Sequence, residues 1–472
     1  MVSAQDPAAP EAPAKPPIQH PQMGVCVHFS NGWYTNPGIP EMIAEAGFSW
    51  IREDFYWAKM EKEKGVYALP AEYEETIAKC HNAGLKILAI FNGGNKLYTP
   101  DKFDAEAYAK AAAWFAKETR GRVQTIEVLN EPHNFGYRTA YGGTWNGLEP
   151  DGSVSLWVGK YATLLNKAAP AIKAANPEAK VIGLGSVPPV NFRLLAMGID
   201  KHVDGIVDHP YSMRVAAEYI PYAGSAGILK RDGIATADPQ GSLASQYAMY
   251  RAQSQKFHGP KELWFTESGW PTYQEAKAGG LYAGVTEEAQ AKYLLRRMSQ
   301  ALGMGVEMNF IYDFRDNGTD KYNAENNFGL VDTQLKPKIS FGAVQRFNRY
   351  MADFRAKKSF EVSVFAVNSH PDRHPIDWDG SKIESSGKVL NYQFADSSGK
   401  PIIVIWSSER PSGELQPVVA EVEIATKEPI AKASSFDFYT GATNPLTLKQ
   451  KEGRTVISKL SVPDYPLAIA LE

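Results

Sequence analysis

The chain has 472 residues, too many for one ordinary hydrophobic core, so two domains are expected. Its composition, 44% hydrophobic and 22% charged, is typical of a globular protein. The formal net charge of −3 gives no electrostatic reason to expect nucleic acid or an anionic membrane as a partner. No apolar run reaches the length of about 18 residues that a membrane-spanning helix needs.

Residues 1–22 are rich in Pro and Ala and lack the apolar segment of a signal peptide, which predicts a disordered N-terminal tail. The residues after Val2, Ser-Ala-Gln, suit the remnant of a removed secretory leader, so we expect a secreted or periplasmic protein. Cys26 and Cys80 are the only cysteines and belong to different predicted elements without metal-binding spacing. Two buried free thiols are therefore favoured over a disulfide.

Short apolar segments alternate with helical patterns over residues 23–355, and each is bounded by Gly, Pro, Asn or a charged residue. Strands buried on both faces have this appearance. Eight such strands alternating with helices predict an α/β fold, a (β/α)8 TIM barrel. A doubly wound sheet is the rival, but no dinucleotide-binding fingerprint follows the first strand. The predicted strands are 23–29, 48–54, 86–92, 124–131, 180–186, 203–211, 262–268 and 306–313.

Some of the intervening helices have specific sequence signals. Tyr73, Ile77 and Cys80 recur at helical spacing and predict one buried helix face. Asp104 and Thr286 each precede a helical pattern and are predicted to act as N-caps, because their side-chain oxygens can accept hydrogen bonds from the first turn.

From residue 356 onwards the helical periodicity stops and short alternating segments follow, separated by Gly, Ser, Pro and Asn. This pattern predicts an all-β sandwich domain over residues 356–472. Its predicted strands are 389–394, 402–407, 418–424, 435–439, 456–462 and 467–471.

Two glutamates stand where predicted strands run into loops. Glu131 ends the fourth strand and Glu267 lies at the end of the seventh. A carboxylate in such a place is costly to desolvate, so a chain with two of them is expected to use them in chemistry. In a barrel of this type the carboxyl ends of the strands form the active site, and two opposed carboxylates there can break a glycosidic bond. The alternative is a pair of surface or salt-bridged glutamates.

These motifs resemble the clan A glycoside hydrolases. Asn130-Glu131-Pro132 after strand four and a glutamate after strand seven match the clan, and segments 311–318, 327–332 and 336–338 are similar to enzymes near glycoside hydrolase family 39. The resemblance covers the barrel and is weak over the β domain. It implies a retaining enzyme that needs no cofactor, with Glu131 as general acid/base and Glu267 as nucleophile.

Polar residues at other strand ends are candidates for the same site. Arg52, at the end of strand two, is placed to keep Glu267 ionised, although an ion pair with a neighbouring acid is the alternative. His209 and Tyr211, after strand six, are expected to donate hydrogen bonds to Glu267, with a structural role as the alternative. By the resemblance, Asn130 holds the 2-hydroxyl of the sugar.

Strict strand alternation places Asn130 and Glu131 on opposite faces, so both can serve only if the strand distorts as it ends. The acidic residues of segment 313–325 are expected to belong to a solvated loop rather than to a calcium site, and no metal site is implied. Further candidates for contacts with the sugar are His28, Asn92, His133 and Asn134, and candidate aromatic platforms are Trp57, Trp270 and Tyr312.

The most favoured function is a retaining β-glycoside hydrolase that cuts a β-linked poly- or oligosaccharide internally, because the loops are long and their rim is aromatic. An exo-acting β-glycosidase, similar to a β-xylosidase, is the first alternative. A non-catalytic carbohydrate-binding protein is a rival of another class, but it should lack one of the two glutamates. The β domain is expected to brace the barrel, with glycan binding by that domain as the alternative.

Overall fold

The structure, a computed structural model, describes residues 17–33, 36–221, 226–256, 259–275, 280–366, 389–411, 417–426 and 429–472. It contains a closed barrel of eight parallel strands, followed by two antiparallel sheets. Residues 1–16 of the predicted tail lie outside the described residues. In the described ranges, no helix combines the length and the apolar character that crossing a membrane requires.

The strands, in chain order, are β1 (His20–Cys26), β2 (Phe48–Tyr56), β3 (Glu61–Glu63), β4 (Val66–Tyr67), β5 (Lys86–Asn92), β6 (Thr125–Val128), β7 (Lys180–Ser186), β8 (Gly205–Asp208), β9 (Glu262–Phe265), β10 (Met308–Ile311), β11 (Arg355–Ala356), β12 (Glu361–Ala366), β13 (Val389–Ala395), β14 (Pro401–Ser407), β15 (Val418–Ala425), β16 (Ala433–Asp437), β17 (Thr443–Leu446), β18 (Leu448–Lys451), β19 (Arg454–Val462) and β20 (Leu467–Leu471).

The helices are α1 (Ile39–Glu45), α2 (Trp57–Met60), α3 (Ala71–Asn82), α4 (Ala105–Glu118), α5 (Tyr137–Tyr141), α6 (Leu156–Ala175), α7 (Pro188–Met197), α8 (Ala226–Asp232), α9 (Leu243–Ser254), α10 (Glu287–Met304) and α11 (Ile339–Met351). Short 3-10 turns lie at Phe29–Asn31, Lys96–Tyr98 and Ala324–Asn326.

The barrel is made of β1, β2 and β5 to β10, which follow one another in chain order around the ring, and β10 closes on β1. These are the eight predicted strands, so the TIM-barrel prediction is confirmed. The short hairpin β3–β4 lies outside the ring. Because every strand is parallel, all carboxyl ends open at the same end of the barrel.

Alternation of side chains explains why the strands are apolar on both faces. Leu88 and Ile90 of β5 pack in the barrel interior, whereas Ile87 and Ala89 pack in the cluster that the barrel shares with its helices. Both cysteines are buried free thiols, as predicted.

The first strand begins earlier than the sequence analysis placed it. His20 is fully buried, and its backbone N–H donates to Gly47 O at 2.7 Å. Residues 20–22, assigned to the tail because Pro and polar residues precede the apolar run, therefore belong to the barrel. Burial lowers the pKa of His20 to about 3, which keeps this side chain neutral.

The C-terminal residues form a sandwich, as predicted. One sheet has the order β11-β13-β14-β20-β16-β17 and the other β12-β15-β19-β18. Ile403 and Ile405 of β14 pack between the two sheets. Val404 and Trp406, on the opposite face of β14, belong to the apolar cluster of the barrel. The larger sheet is thus buried on both faces.

Candidate active site

The two predicted glutamates meet at the carboxyl end of the barrel. Glu131 lies three residues after β6 and Glu267 two residues after β9. A carboxylate oxygen of Glu131 and one of Glu267 lie within 4.8 Å of each other. The chain after β6 is distorted, with positive φ at Leu129 (63°) and Glu131 (40°), and this distortion lets Asn130 and Glu131 both line the same cavity.

Glu267 is only 7% exposed and receives two strong hydrogen bonds. Arg52 NH1 donates to Oε1 at 2.6 Å, and the Tyr211 hydroxyl donates to Oε2 at 2.9 Å. Both contacts were predicted from the sequence. Burial, helped by the charge of Glu267, raises the pKa of Tyr211, so its hydroxyl stays a donor. The two donors bind different oxygens of the Glu267 carboxylate and orient it.

Arg52 also binds a carboxylate that the sequence analysis missed. Glu127 of β6 is fully buried and accepts from Arg52 Nε at 2.8 Å and NH2 at 3.0 Å, while Asn130 Oδ1 accepts from NH2 at 2.8 Å. Burial lowers the pKa of Arg52, but the charges of Glu127 and Glu267 outweigh it and raise this pKa. The signal for Glu127 was a lone charge inside an apolar strand, which needs a buried partner.

The expected hydrogen bond from His209 to Glu267 is not present. His209 Nδ1 lies 2.9 Å from Glu131 Oε1 and 3.7 Å from Glu267 Oε2, and Nε2 lies 2.9 Å from Thr266 Oγ1. The distorted chain after β6 brings Glu131, rather than Glu267, next to the imidazole. The sequence analysis required a distortion at the end of this strand but could not give its direction, so the contact with Glu131 was not foreseen.

The contact between His209 and Glu131 places a proton on the imidazole. Burial lowers the pKa of His209, but the charges of Glu267 and Glu131 and the hydrogen bond to Glu131 raise it overall. Burial raises the pKa of Glu131, but the hydrogen bond from His209 and the charges of His133 and His209 lower it overall. The other ring nitrogen, Nε2, lies 2.9 Å from Thr266 Oγ1 and 3.5 Å from Arg52 NH2.

A cavity of about 690 Å³ opens over these groups. Its lining includes most of the residues that the sequence analysis proposed, namely His28, Arg52, Asn92, Asn130, Glu131, Asn134, Tyr211, Glu267 and Tyr312.

Hydrogen-bond contacts hold the predicted sugar-binding residues His28, Tyr312 and Asn92 in place. His28 Nε2 lies 3.3 Å from the Tyr312 hydroxyl, and burial lowers the pKa of His28 to about 4, so the ring is neutral near pH 7. Asn92 Nδ2 donates to Asp54 Oδ1 at 2.7 Å, and Asn92 Oδ1 accepts from Asn130 N at 3.3 Å. These contacts orient side chains that line the cavity.

The structure adds cavity residues that sequence reasoning did not select as ligands. Asp54 and Tyr56 follow Arg52 on β2, and Phe135 lies four residues after Glu131. Glu325 is an exposed residue in the cavity wall, where partial desolvation first, and then the charges of the two predicted catalytic glutamates, raise its pKa. Asp54 and Tyr56 share the face of Arg52 by strand alternation, a signal that the sequence offered, whereas no periodic pattern marks the loop residues Phe135 and Glu325.

Four proposed residues are not among those that line the cavity: His209, which contacts Glu131 directly, and Trp57, Trp270 and His133. Trp57 is fully buried among aromatic side chains, and Trp270 is 2% exposed and stacks on Tyr293 at 5.2 Å between centroids. His133 is buried, with Nδ1 3.0 Å from Ser186 Oγ. The structure therefore buries Trp57, Trp270 and His133 in packing contacts, and the cavity lining gives no support to the prediction that they contact the sugar.

Glu131, His209 and Glu267 are also the group of potential metal ligands that the described part of the chain brings together. Arg52 and Tyr211 already donate to Glu267, and His209 donates to Glu131. The same atoms therefore serve as a hydrogen-bonded network, and a positive guanidinium at this place opposes cation binding.

Comparisons with known proteins agree with the fold. Neither protein-family models nor curated proteins gave a match. A family 39 glycoside hydrolase from Bacteroides cellulosilyticus WH2 is 21% identical with a TM-score of 0.67, over 96% of this chain and 81% of that one. The catalytic domain of GH30 xylanase C from Talaromyces cellulolyticus is 11% identical with a TM-score of 0.53, over 97% and 98% of the two chains. In its fold, the chain resembles clan A glycoside hydrolases over the barrel and the sandwich together.

Proposed function

We propose that the protein is a retaining β-glycoside hydrolase. The observation that carries this proposal is the pair Glu131 and Glu267, whose oxygens lie within 4.8 Å at the mouth of the barrel. Retaining pairs stand about 5–5.5 Å apart, whereas inverting pairs need about 6.5–9.5 Å to admit a water molecule. The different partners of the two carboxylates support different roles.

In the first step, a Glu267 oxygen attacks the anomeric carbon and the bond to the leaving oxygen breaks. Glu131 passes a proton to that oxygen, and the proton comes from the pair formed with His209. In the second step, Glu131 takes a proton from water, whose oxygen attacks the same carbon and releases Glu267. Two inversions retain the β configuration.

Arg52 and Tyr211 hold and orient the carboxylate of Glu267 before the attack. Their donor atoms bind different oxygens, at 2.6 and 2.9 Å, so the carboxylate cannot rotate freely. We propose that Asn130, held by Arg52, binds the 2-hydroxyl of the sugar, where a hydrogen bond that tightens in the transition state lowers the barrier.

We propose a β-linked poly- or oligosaccharide, cut internally, as the substrate. The long connection from β8 to β9 and the exposed apolar residues at the cavity support this choice. An exo-acting, β-xylosidase-like enzyme is the second candidate, supported by the similarity in fold to a family 39 glycoside hydrolase. Incubation with β-glucans, xylans, mannans and galactans separates the two, because only an endo-acting enzyme releases oligosaccharides from a long chain.

Replacement of each glutamate tests the two roles. We expect Glu267→Gln to abolish turnover while binding persists, because an amide cannot attack the anomeric carbon. We expect azide to restore part of the activity of Glu131→Ala and to give a β-glycosyl azide, since this small anion attacks the intermediate without a general base. An α-glycosyl azide would contradict the assignment. Glu307→Gln, at the opposite end of the barrel, is the matched control and should keep full activity.

We also propose that the protein acts outside the cytoplasm, in the periplasm or the medium. The Pro- and Ala-rich composition of residues 1–22 and a polymeric substrate support this proposal. Immunodetection in fractions of the source cells tests it, and recovery in the cytoplasmic fraction alone would contradict it.

A further inference from the structure

Phe135 has an unusual combination of properties. Its side chain is 73% exposed, its φ is +44°, and it lines the cavity that holds the two glutamates. An exposed phenylalanine alone is ordinary surface. A left-handed backbone at a bulky residue is strained, however, and exposed apolar area brings no folding energy to offset that strain. Folding therefore does not explain the residue.

The loop that carries Phe135 is held in place by hydrogen bonds. Asn134 N donates to Glu131 O at 2.7 Å, and Asn134 Nδ2 donates to Glu131 Oε2 at 3.1 Å. Arg138 Nε donates to His133 O at 2.8 Å on the other side of Phe135. The ring is thus presented by an ordered turn that is bonded directly to the proposed general acid.

The position of the ring assigns it to one part of the substrate. A general acid donates its proton to the leaving oxygen, so residues that follow Glu131 flank the leaving group. Leu281, 49% exposed, also lines the cavity and adds apolar surface to it. The walls near His28, Asp54 and Glu325 are polar by contrast and suit the hydroxyls of the sugar that is attacked.

We propose that Phe135 forms the platform that binds the leaving-group sugar, and this inference rests on the proposed glycosidase function. A pyranose ring has an apolar C–H face and a rim of hydroxyls. The aromatic ring matches the face, and the amide of Asn134 beside it matches the rim. An aryl or alkyl leaving group would match the ring alone. Phe135 is thus a specificity-determining residue.

The test compares two substrates that share the sugar that is attacked and differ in the leaving group. This sugar is the repeating unit of the polymer that the enzyme degrades. One is the β-glycosyl fluoride, whose leaving group is a single atom and cannot reach the platform. The other is a β-linked disaccharide. For Phe135→Ala we expect the ratio of kcat/KM for disaccharide to that for fluoride to fall about tenfold, the loss of one ring contact.

Two further variants separate binding from folding. Phe135→Gly should show the same fall in the ratio without a lower melting temperature, since glycine adopts a φ of +44° without strain. Phe365→Ala removes a 53% exposed phenylalanine from β12 of the sandwich and should leave both substrates unaffected.

Each other outcome has a distinct meaning. If the wild type is active and the ratio of kcat/KM values is unchanged in Phe135→Ala, the platform is wrong but the glycosidase function still holds. A fall for an aryl glycoside but not for the disaccharide would overturn the assignment to a sugar. Equal losses for fluoride and disaccharide would make Phe135 structural. Failure of the wild type to hydrolyse the fluoride would overturn the glycosidase function and the platform with it.

Discussion

One buried guanidinium organises the charges of the site. Arg52 donates to both Glu127 and Glu267, so two carboxylates share one positive charge and the group carries a net negative charge. Removal of a partner from such a buried network leaves an uncompensated charge, which is costly. Arg52 therefore serves the stability of the barrel and the positioning of Glu267 at once.

The His209–Glu131 pair makes the supply of the acid proton depend on pH. The pKa of His209 is raised above its usual 6.5, although burial opposes the rise, because Glu267 and Glu131 favour the charged ring. The pair therefore holds its proton below that raised pKa and loses it as pH increases through it. Activity should fall on the alkaline side for this reason.

Replacement of His209 by Gln should move the alkaline limb of the kcat/KM profile to lower pH. Glu131 then has to hold the proton alone, and the usual pKa of a carboxyl group lies below the usual 6.5 of an imidazole, which is raised further in the pair. The loss at neutral pH should be larger for glycosides with poor leaving groups, which need protonation. His202→Gln, at a half-exposed histidine bound to Asp200, is the control. An unmoved limb would contradict the proton assignment.

At the scale of elements, local chemistry sets where helices begin. Asp104 Oδ1 accepts from Ala107 N at 2.8 Å at the start of α4, and Thr286 Oγ1 accepts from Ala289 N at 3.2 Å at the start of α10. Both N-caps were predicted. Each side chain satisfies a backbone N–H that has no partner within its helix.

Asp104→Ala should lower the free energy of unfolding by about 1 kcal/mol, the typical cost of losing an N-cap. Asp104→Asn keeps an acceptor oxygen and should lose much less. Because α4 packs outside the barrel, kcat/KM should not change in either variant. Urea denaturation of the three proteins measures the difference, and equal midpoints would show that the cap contributes nothing.

At the scale of the molecule, α10 joins the sandwich to the active-site loop. Arg296 of α10 donates to both oxygens of Glu218, in the loop after β8, and to Glu409 O at 2.7 Å in the sandwich. Trp406 of β14 donates to the same Glu218 at 2.8 Å. Arg297, the residue after Arg296 in α10, donates to Ala217 O of the same loop at 2.7 Å. The sandwich thus supports the loop that carries Tyr211.

Arg296→Met should lower the free energy of unfolding by about 3–5 kcal/mol, because Glu218 is left buried without its cation. The double variant Arg296→Met/Glu218→Gln should recover part of that loss, since the buried charge is gone. Lys180→Met, at an ion pair with half-exposed Glu262, should cost at most about 1 kcal/mol. Calorimetry measures the free energy of unfolding of all variants. Equal losses in Arg296→Met and Lys180→Met would contradict the role of Arg296 in holding the loop after β8 to the sandwich.

The sequence by itself determined the barrel, the sandwich and the two glutamates. Alternating apolar segments and cap residues act over a few neighbouring positions, so their pattern is readable along the chain. Parallel strands then place Glu131 and Glu267 at one end of the barrel, whatever the loops do. Tyr211 was found because it follows a strand end, and Arg52 because it is a charged residue near the predicted end of an apolar strand, although β2 continues to Tyr56 and Arg52 lies in its middle.

Only the tertiary structure decided which side chains complete the site. The contact of His209 with Glu131 depends on positive φ at Leu129 and Glu131, a distortion without a local sequence signal. Glu325 lies on a long loop and lines the cavity, whereas Trp270 does not line the cavity and stacks on Tyr293. Loop paths depend on the sum of many weak contacts between distant segments, and no short stretch of sequence contains that sum.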